Sequence, residues 1–176
     1  MTIAVYPATF DPVHNGHIDI AMRAARIFDQ VIVAVFARPS KSLMFSVDER
    51  VWLLQETFKG AANVRVAAYS TLTSDFAHVN GAQVIIRGLR DVNDFELEFK
   101  QALMYRHLRP ELEVVNLISD SDYTYVSSSL LKEVAMLGGD VDRLVPPHVA
   151  RALYAKLKQM GIEAEQKVKM VALSND

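Results

Sequence analysis

Cysteine is absent from this 176-residue sequence, and neither a charge of one sign nor a long apolar run dominates it. Without thiols the chain cannot form a disulfide framework, a thiolate zinc site, an iron–sulfur cluster or a cysteine nucleophile. Its 19 Lys and Arg and 21 Asp and Glu residues give a formal net charge of −2, which argues against a nucleic-acid partner. The longest apolar run, 31–37, is much shorter than the ~20 residues of a membrane-spanning helix, so no membrane partner is expected.

Length and composition predict a single folded domain. A chain of 176 residues, 51% of them apolar, can bury a core without covalent cross-links. The N-terminal apolar run has no basic region before it and soon meets Pro7, which is not typical of a signal peptide. We therefore expect a cytoplasmic protein with one domain over 1–160 and a C-terminal extension or tail over 161–176.

Short β-branched runs alternate with amphipathic segments along the chain, which is typical of an α/β fold. The runs that predict strands are 3–6, 31–36, 63–68, 83–86 and 113–118. The segments that predict helices are 18–28, 46–54, 94–107, 127–137 and 147–160. This order predicts a doubly wound, five-stranded parallel sheet. Within 94–107, helical spacing predicts that four side chains lie in the core: Phe95, Phe99, Leu103 and Met104.

The loop after the first strand, PATFDPVHNGH, has chemistry that suits a phosphate. In doubly wound sheets, ligands bind beyond the carboxyl ends of the strands. The loop lacks the glycine spacing of GxGxxG and P-loop motifs, but it ends at a helix start, where N–H groups and the helix dipole favour anions. His17 can donate a ring N–H to a phosphoryl oxygen. His14 and His17 could instead form a metal pair, but the sequence offers no third ligand.

Three further strand ends carry residues that suit phosphate binding. Lys41 follows the second strand, although it could equally be a solvated loop lysine. Arg87 and Arg90 follow the fourth strand, and their planar guanidinium groups match phosphate oxygens. Acidic neighbours could neutralise both arginines: Asp91, Asp94 and Glu96. Three serines at 127–129 open a helix after the fifth strand, and one of them is expected to be its N-cap.

The four segments resemble one known family when they are taken in order. YPATFDPVHNGH, PSKSLMF, IIRGLRDVNDFELE and YVSSSLLKEVA are similar to the nucleotidyltransferase superfamily with a (T/H)-x-G-H motif, and within it to bacterial phosphopantetheine adenylyltransferases. The similarity covers 6–135 and extends through the helix that ends near Met160. Two positions depart from the family pattern: Ala8 stands where glycine is usual, and His14 where threonine is frequent.

The resemblance implies a Rossmann-like nucleotidyltransferase fold that transfers AMP from ATP to 4′-phosphopantetheine, giving dephospho-coenzyme A and pyrophosphate. It implies three catalytic residues: His17, Lys41 and Arg90. It implies that the acceptor is bound by Thr9, Lys41, Thr73 and Arg87. It implies ATP contacts for Thr9, Phe10, His17, Gly88, Leu89, Arg90, Glu98, Tyr123, Thr124, Tyr125, Val126, Ser127, Ser128 and Ser129. Mg²⁺ would accompany ATP, coenzyme A would inhibit by feedback, and the enzyme would be a homohexamer.

Three alternatives remain open from the sequence. Another transferase of the superfamily could use nicotinate mononucleotide or glycerol 3-phosphate, although the IIRGLR and PSK segments point away from it. A nucleotide-sensing module without catalysis would not need the full set of His17, Lys41 and Arg90. Class I aminoacyl-tRNA synthetases have the fold and a related motif, but this chain lacks the basic surface that tRNA binding needs.

Overall fold

Five parallel strands form the centre of the fold, in the order β3-β2-β1-β4-β5. The computed structural model describes residues 1–39 and 42–161. The strands are β1 (Ile3–Ala8), β2 (Gln30–Phe36), β3 (Val64–Tyr69), β4 (Val84–Leu89) and β5 (Glu113–Ile118). All five predicted strands are confirmed, as is the doubly wound α/β class. The predicted C-terminal extension lies outside the described residues from 162 onwards.

Of the helices in the described residues, the first four connect the strands and two more follow β5. They are α1 (Asn15–Ile27), α2 (Val47–Phe58), α3 (Thr73–Val79), α4 (Val92–Leu108), α5 (Ser128–Met136) and α6 (Pro147–Gln159), with a 3₁₀ turn at Ser121–Tyr123. Helix α2 begins with a capping box, because Ser46 Oγ accepts from the Glu49 N–H at 3.2 Å and Glu49 Oε2 accepts from the Ser46 N–H at 2.7 Å. None of these helices is long and apolar enough to cross a bilayer.

Helices cover both faces of the sheet, so the central strands are buried on both sides. On one face, Ala4 and Val33 pack with side chains of α1, α2, α5 and α6. On the other face, Val5 and Ile32 pack with Ala77 of α3 and with part of α4. This explains the uninterrupted apolar sequence of β2, because strands buried on both faces do not alternate.

One prediction about the core is wrong, and it concerns α4. Phe95, Phe99 and Leu103 are each 52% exposed, and Met104 is 56% exposed. Helix α4 packs on β4 and β5, and Glu98 is its one fully buried side chain. Helical spacing identifies an apolar face, but it does not say whether that face meets the core of the same chain.

A crevice opens between β1 and β4, where the strand order reverses. These two strands pair at Ala4–Val84 and Val5–Ile85 and no further, although β1 continues to Ala8 and β4 to Leu89. Their outer neighbours remain paired along the whole length. The carboxyl halves of β1 and β4 therefore separate, and this is the position at which doubly wound sheets bind ligands.

Candidate active site

A cleft of about 790 Å³ occupies the crevice between β1 and β4. The structure brings most of the predicted residues into its wall, from the ends of β1, β3, β4 and β5 and from α4. They are Thr9, Phe10, His17, Thr73, Arg87, Gly88, Arg90, Glu98, Tyr123, Val126, Ser127, Ser128 and Ser129. Lys41 lies outside the described residues.

Three predicted ATP contacts are not part of the cleft wall. Leu89 ends β4 beside it without lining it. Thr124 closes the 3₁₀ turn instead, since its Oγ1 donates to the Ser121 carbonyl at 3.2 Å. Tyr125 is 62% exposed. The geometry of the cleft therefore gives no support to contacts between ATP and these three residues.

His14 and His17 cap the start of α1 reciprocally. His14 is the N-cap, and its Nδ1 accepts from the His17 N–H at 3.3 Å. His17 Nδ1 in turn accepts from the His14 N–H at 3.3 Å, and the two rings stack with centroids 3.6 Å apart. With Nδ1 of His17 as an acceptor, the ring hydrogen lies on Nε2, which is the atom that a phosphoryl oxygen needs as its donor.

The backbone N–H groups at the start of α1 are less available to a phosphate than the sequence indicates. Asn15 N–H donates to the Leu144 carbonyl at 2.9 Å, and His17 N–H is directed to His14. Gly16 allows this arrangement, because a Cβ there would lie 3.2 Å from the His14 ring and 3.3 Å from Tyr123 Cβ. The contribution of α1 to anion binding therefore comes from its dipole and from His17.

Arg87 is held by a bidentate ion pair with Glu98. Its Nε and Nη2 donate to the two carboxylate oxygens at 2.5 and 2.7 Å, and its Nη1 donates to the Pro7 carbonyl at 3.0 Å across the crevice. Burial works against the charge of Arg87, but the hydrogen bonds and charge of Glu98 outweigh it and raise the pKa of Arg87. The partner of Arg87 is therefore Glu98, which is not among the three acidic neighbours considered from the sequence.

Arg90 pairs with Asp94, one of the three acidic neighbours considered for it. Its Nε and Nη2 donate to the two carboxylate oxygens at 2.9 and 3.0 Å. These hydrogen bonds are the main reason that the pKa of Asp94 lies below its usual value. The arginine side chain is 39% exposed. Exposed pairs of this kind contribute little to stability, so Arg90 can exchange its carboxylate for a phosphate.

The three serines at 127–129 have different environments. Ser127 is the N-cap of α5, as one of them was expected to be, and its Oγ accepts from the Leu130 N–H at 3.1 Å. Ser128 Oγ donates to the Pro12 carbonyl at 2.8 Å, which ties α5 to the loop after β1. Ser129 is exposed at the cleft.

Comparison with known proteins identifies the family of this chain. The Cytidylyltransferase-like family pattern matches residues 5–134. A curated phosphopantetheine adenylyltransferase of Roseiflexus castenholzii is 55% identical over 153 residues, covering 87% of this chain and 96% of its own. Another of that name, from Thermomicrobium roseum, is 49% identical over 160 residues, covering 89% and 96%. The chain belongs to the phosphopantetheine adenylyltransferase family.

A solved structure shows the same fold with a more distant sequence. It is described as a nicotinate-nucleotide adenylyltransferase from Vibrio parahaemolyticus, and it is 19% identical to this chain, with a TM-score of 0.65. The likeness covers 87% of this chain and 99% of that one. At this identity the likeness supports the Rossmann-like nucleotidyltransferase fold and nothing about the acceptor.

One wall of the cleft in this member of the phosphopantetheine adenylyltransferase family is aromatic, and it was not predicted from the sequence. Phe36 and Tyr69 end β2 and β3, and their ring centroids lie 5.2 Å apart. Tyr69 Oη and Thr73 Oγ1 are hydrogen-bonded at 2.9 Å. Tyr105 of α4 completes this side. The rule that strand ends face the ligand could have found the first two, because each is the last residue of its strand.

Ala8 departs from the family pattern without disturbing the loop. It is the last residue of β1 and pairs with Val35 of β2. An extended backbone accepts any residue, so no glycine is needed for this conformation. The one non-glycine residue with a positive φ among the described residues is Phe10, with φ of 52°.

We predict that His14 makes the fold sensitive to acid. His14 is 6% exposed, and burial, assisted by Arg90, lowers its pKa to about 3. The unfolded chain binds a proton there below a pKa of about 6.5, whereas the folded chain does not, so stability is lost as pH falls. At pH 5 this group should lower the free energy of unfolding by about 2 kcal/mol relative to pH 7.5.

Urea denaturation of the wild type and of His14→Thr at both pH values measures this effect. Threonine can still cap α1 through its hydroxyl but does not titrate in this range. The variant should therefore lose about 2 kcal/mol less than the wild type between the two pH values. An identical pH dependence of the two proteins would contradict the prediction.

Proposed function

We propose that the protein transfers AMP from ATP to 4′-phosphopantetheine, with dephospho-coenzyme A and pyrophosphate as products. The observation that carries this is the convergence of His17 from the start of α1 with Arg87 and Arg90 from the end of β4 on one cleft at the switch point of the sheet. This set offers donors to two separate phosphate groups. The relatives named phosphopantetheine adenylyltransferase, about half identical over most of the chain, support this choice of acceptor.

The reaction needs positioning more than proton transfer. An oxygen of the acceptor phosphate forms a bond to the α-phosphorus of ATP, and the bond from that phosphorus to the β-bridging oxygen breaks, so pyrophosphate leaves. The attacking oxygen is already anionic, so no general base is required. Glu98, which lines the cleft, is engaged by Arg87, and Asp94 is engaged by Arg90, which agrees with this scheme. Catalysis then rests on alignment and on stabilising the charge of the transferring group.

Each basic residue has a distinct role in this proposal. His17 donates from Nε2 to an oxygen of the α-phosphoryl group. Arg87, aligned by Glu98 and by the Pro7 carbonyl, binds the phosphate of the acceptor. Arg90 leaves Asp94 to bind the β- and γ-phosphates. Lys41, Thr9 and Thr73 are assigned to the acceptor by the family resemblance.

We infer that Mg²⁺ enters this site with the ATP. Among the described residues no group of three His, Asp or Glu side chains could hold a metal ion. Magnesium keeps several waters and binds substrate phosphates readily, so this donor set fits an ion held mainly by the triphosphate. When bound, the ion would neutralise phosphate charge, while the side chains described above orient the reacting groups.

A pyrophosphate-release assay tests the function directly. The wild type is incubated with ATP, Mg²⁺ and 4′-phosphopantetheine, and in parallel with nicotinate mononucleotide or glycerol 3-phosphate. Pantetheine without its phosphate is the matched control, because it retains the arm but lacks the nucleophile. Pyrophosphate release with 4′-phosphopantetheine, and with none of the other acceptors, supports the proposal. Release with another acceptor would assign a different transferase, and release with none would indicate a nucleotide-binding module.

We further propose that the exposed apolar side of α4 is an interface between copies in a homohexamer. Phe95 and Phe99 stack there with centroids 6.0 Å apart, and Leu103 and Met104 continue the same exposed surface. Contiguous apolar patches of this kind are uncommon on monomers and mark interaction sites. Feedback inhibition by coenzyme A and a cytoplasmic location stay predictions from the family resemblance and the sequence.

A charge on this surface is expected to break the assembly. Leu103→Glu would place a carboxylate in an apolar contact, where an unpaired charge is strongly unfavourable. Light scattering after gel filtration should show a large fall in mass for this variant. Val79→Glu, at an 82% exposed position that ends α3, is the matched control and should leave the mass unchanged. A wild type that elutes as a monomer of 19.7 kDa would contradict the proposal.

A further inference from the structure

Three charged side chains form a buried cluster behind the cleft. Asp11 is 1% exposed, and its Oδ2 lies 2.5 Å from Lys132 Nζ. Arg50 is completely buried nearby, and the Asp11 charge acts on it. One carboxylate and two cations leave the cluster with a net positive charge. We name these residues the Asp11–Arg50–Lys132 cluster.

The cluster joins segments that line the cleft but are distant in sequence. Arg50 Nη1 donates to the Thr9 carbonyl at 2.8 Å and to the Phe36 carbonyl at 2.9 Å. Thr9 and Phe36 both line the cleft. A single guanidinium nitrogen therefore fixes the loop after β1 against the end of β2.

Asp11 and Lys132 extend these links in two directions. The Asp11 carboxylate accepts the Met44 N–H at 3.1 Å and the Phe45 N–H at 2.9 Å, which anchors the segment just before α2. Lys132 lies one helical turn after the serines that line the cleft, so its ion pair fixes α5 to the same loop. The Ser128 hydroxyl, which donates to the Pro12 carbonyl, is a second link between α5 and this loop.

Phe10 lies between the two anchored points and has a strained backbone. Its φ of 52° is unusual for a residue with a side chain. On one side of it the Thr9 carbonyl is held by Arg50, and on the other the Asp11 carboxylate is held by Lys132. Strained conformations persist where the surroundings fix them, and they concentrate at functional sites. The ring of Phe10 contacts His17, with centroids 4.9 Å apart.

Stability alone does not account for this cluster. Arg50 Nη2 is buried and has no hydrogen-bond acceptor among the described residues. Burial lowers the pKa of Arg50, and Asp11 only partly opposes that effect. Buried ion pairs can often be replaced by apolar side chains without loss of stability, so their presence is weak support for a purely structural role.

We propose that the Asp11–Arg50–Lys132 cluster positions the phosphate-facing loops for the adenylyl transfer, a role that rests on the function proposed above. None of its three side chains lines the cleft. The cluster acts through the Thr9 and Phe10 backbone, the end of β2 and the start of α5, and so through the placement of His17 against the transferring phosphoryl group. Its residues are positioning residues, and their loss should affect turnover more than substrate affinity.

Lys132→Met tests the proposal, because methionine keeps the length of the side chain and removes the charge. We expect kcat per folded molecule to fall ~10–100-fold, since small misplacements of reacting groups have effects of that size. The KM values for ATP and 4′-phosphopantetheine should stay within about threefold, far below the change in kcat. Asp11→Asn is the second variant, because its amide oxygen can still accept the Phe45 N–H while the ion pair with Lys132 is lost. Circular dichroism and gel filtration give the folded fraction by which kcat is normalised.

Lys156→Met is the matched control for lost stability. Lys156 has a similar burial to Lys132, with side-chain exposures of 23% and 15%, and it pairs with Glu49 at 2.7 Å away from the cleft. It should keep the wild-type kcat. If a folded Lys132→Met or Asp11→Asn variant also keeps it, or changes KM alone, the positioning role is overturned while the enzyme function stands. A wild type that releases no pyrophosphate overturns both proposals.

Discussion

Replacing His17 with alanine is expected to lower kcat by ~10²–10³, the usual effect of losing one preorganised donor to a developing oxyanion. The reciprocal cap with His14 keeps Nδ1 of His17 as an acceptor and therefore leaves Nε2 as the hydrogen-bearing atom. Contact with the Phe10 ring further restricts the imidazole. Because the donor acts mainly on the charge of the transition state, KM should change much less than kcat. Steady-state pyrophosphate release at saturating ATP and 4′-phosphopantetheine measures both constants.

The controls for His17 address its second role in the helix cap. His17→Ala removes the acceptor of the His14 N–H, so its unfolding must be measured beside its kinetics. His17→Gln retains a side-chain donor and should recover part of the lost turnover. His78→Ala removes a half-exposed histidine that pairs with Glu111 away from the cleft, and it should retain full activity. Turnover of folded His17→Ala within a few-fold of the wild type would contradict the assigned role.

The sequence predicts the sheet well, because the signal for buried parallel strands is strong and local. Runs of consecutive β-branched residues such as 31–36 are typical of strands that are buried on both faces of a parallel sheet. Helix α3 was missed for the opposite reason. It has seven residues, and its N-cap, Leu72, makes no side-chain capping bond. Neither periodicity nor capping can reveal a helix that short.

The site is predicted by position, but of its two arginine pairs only that of Arg90 with Asp94 was among those considered from the sequence. Residues after the strands converge because the fold places all strand ends at one edge, so His17, Arg87 and Arg90 could be grouped from the sequence. The partner of Arg87 could not, because Glu98 reaches it only when α4 folds back over β4. Asp11 and Lys132, which form an ion pair in the Asp11–Arg50–Lys132 cluster, are 121 residues apart in the sequence, and no local pattern links them.

Helix α4 shows why the apolar pattern misled. Glu98, Gln101 and Tyr105 recur at helical spacing and face the cleft. The apolar side chains Phe99 and Leu103 lie on the exposed side. The usual rule that apolar faces point inward is reversed here, because the inner side of this helix faces the polar cleft, whereas its outer side is the exposed surface that we propose as an interface between copies.

Arg87→Ala is expected to have two large effects that must be separated. Removing the arginine leaves Glu98, which is 7% exposed, as a buried charge without its partner. Breaking such a pair should lower the free energy of unfolding by about 3–5 kcal/mol. The lost charged hydrogen bonds should weaken binding of 4′-phosphopantetheine by about 10–100-fold. Urea denaturation measures the first effect and titration calorimetry the second.

The double variant Arg87→Ala/Glu98→Gln distinguishes these effects. Glutamine removes the uncompensated charge, so most of the lost stability should return. It also removes a carboxylate that would repel the acceptor phosphate once Arg87 is gone. If Arg87 itself binds that phosphate, affinity for 4′-phosphopantetheine stays low in the double variant although the fold is restored. If affinity returns with stability, the loss in the single variant came from Glu98, and Arg87 serves only to neutralise it.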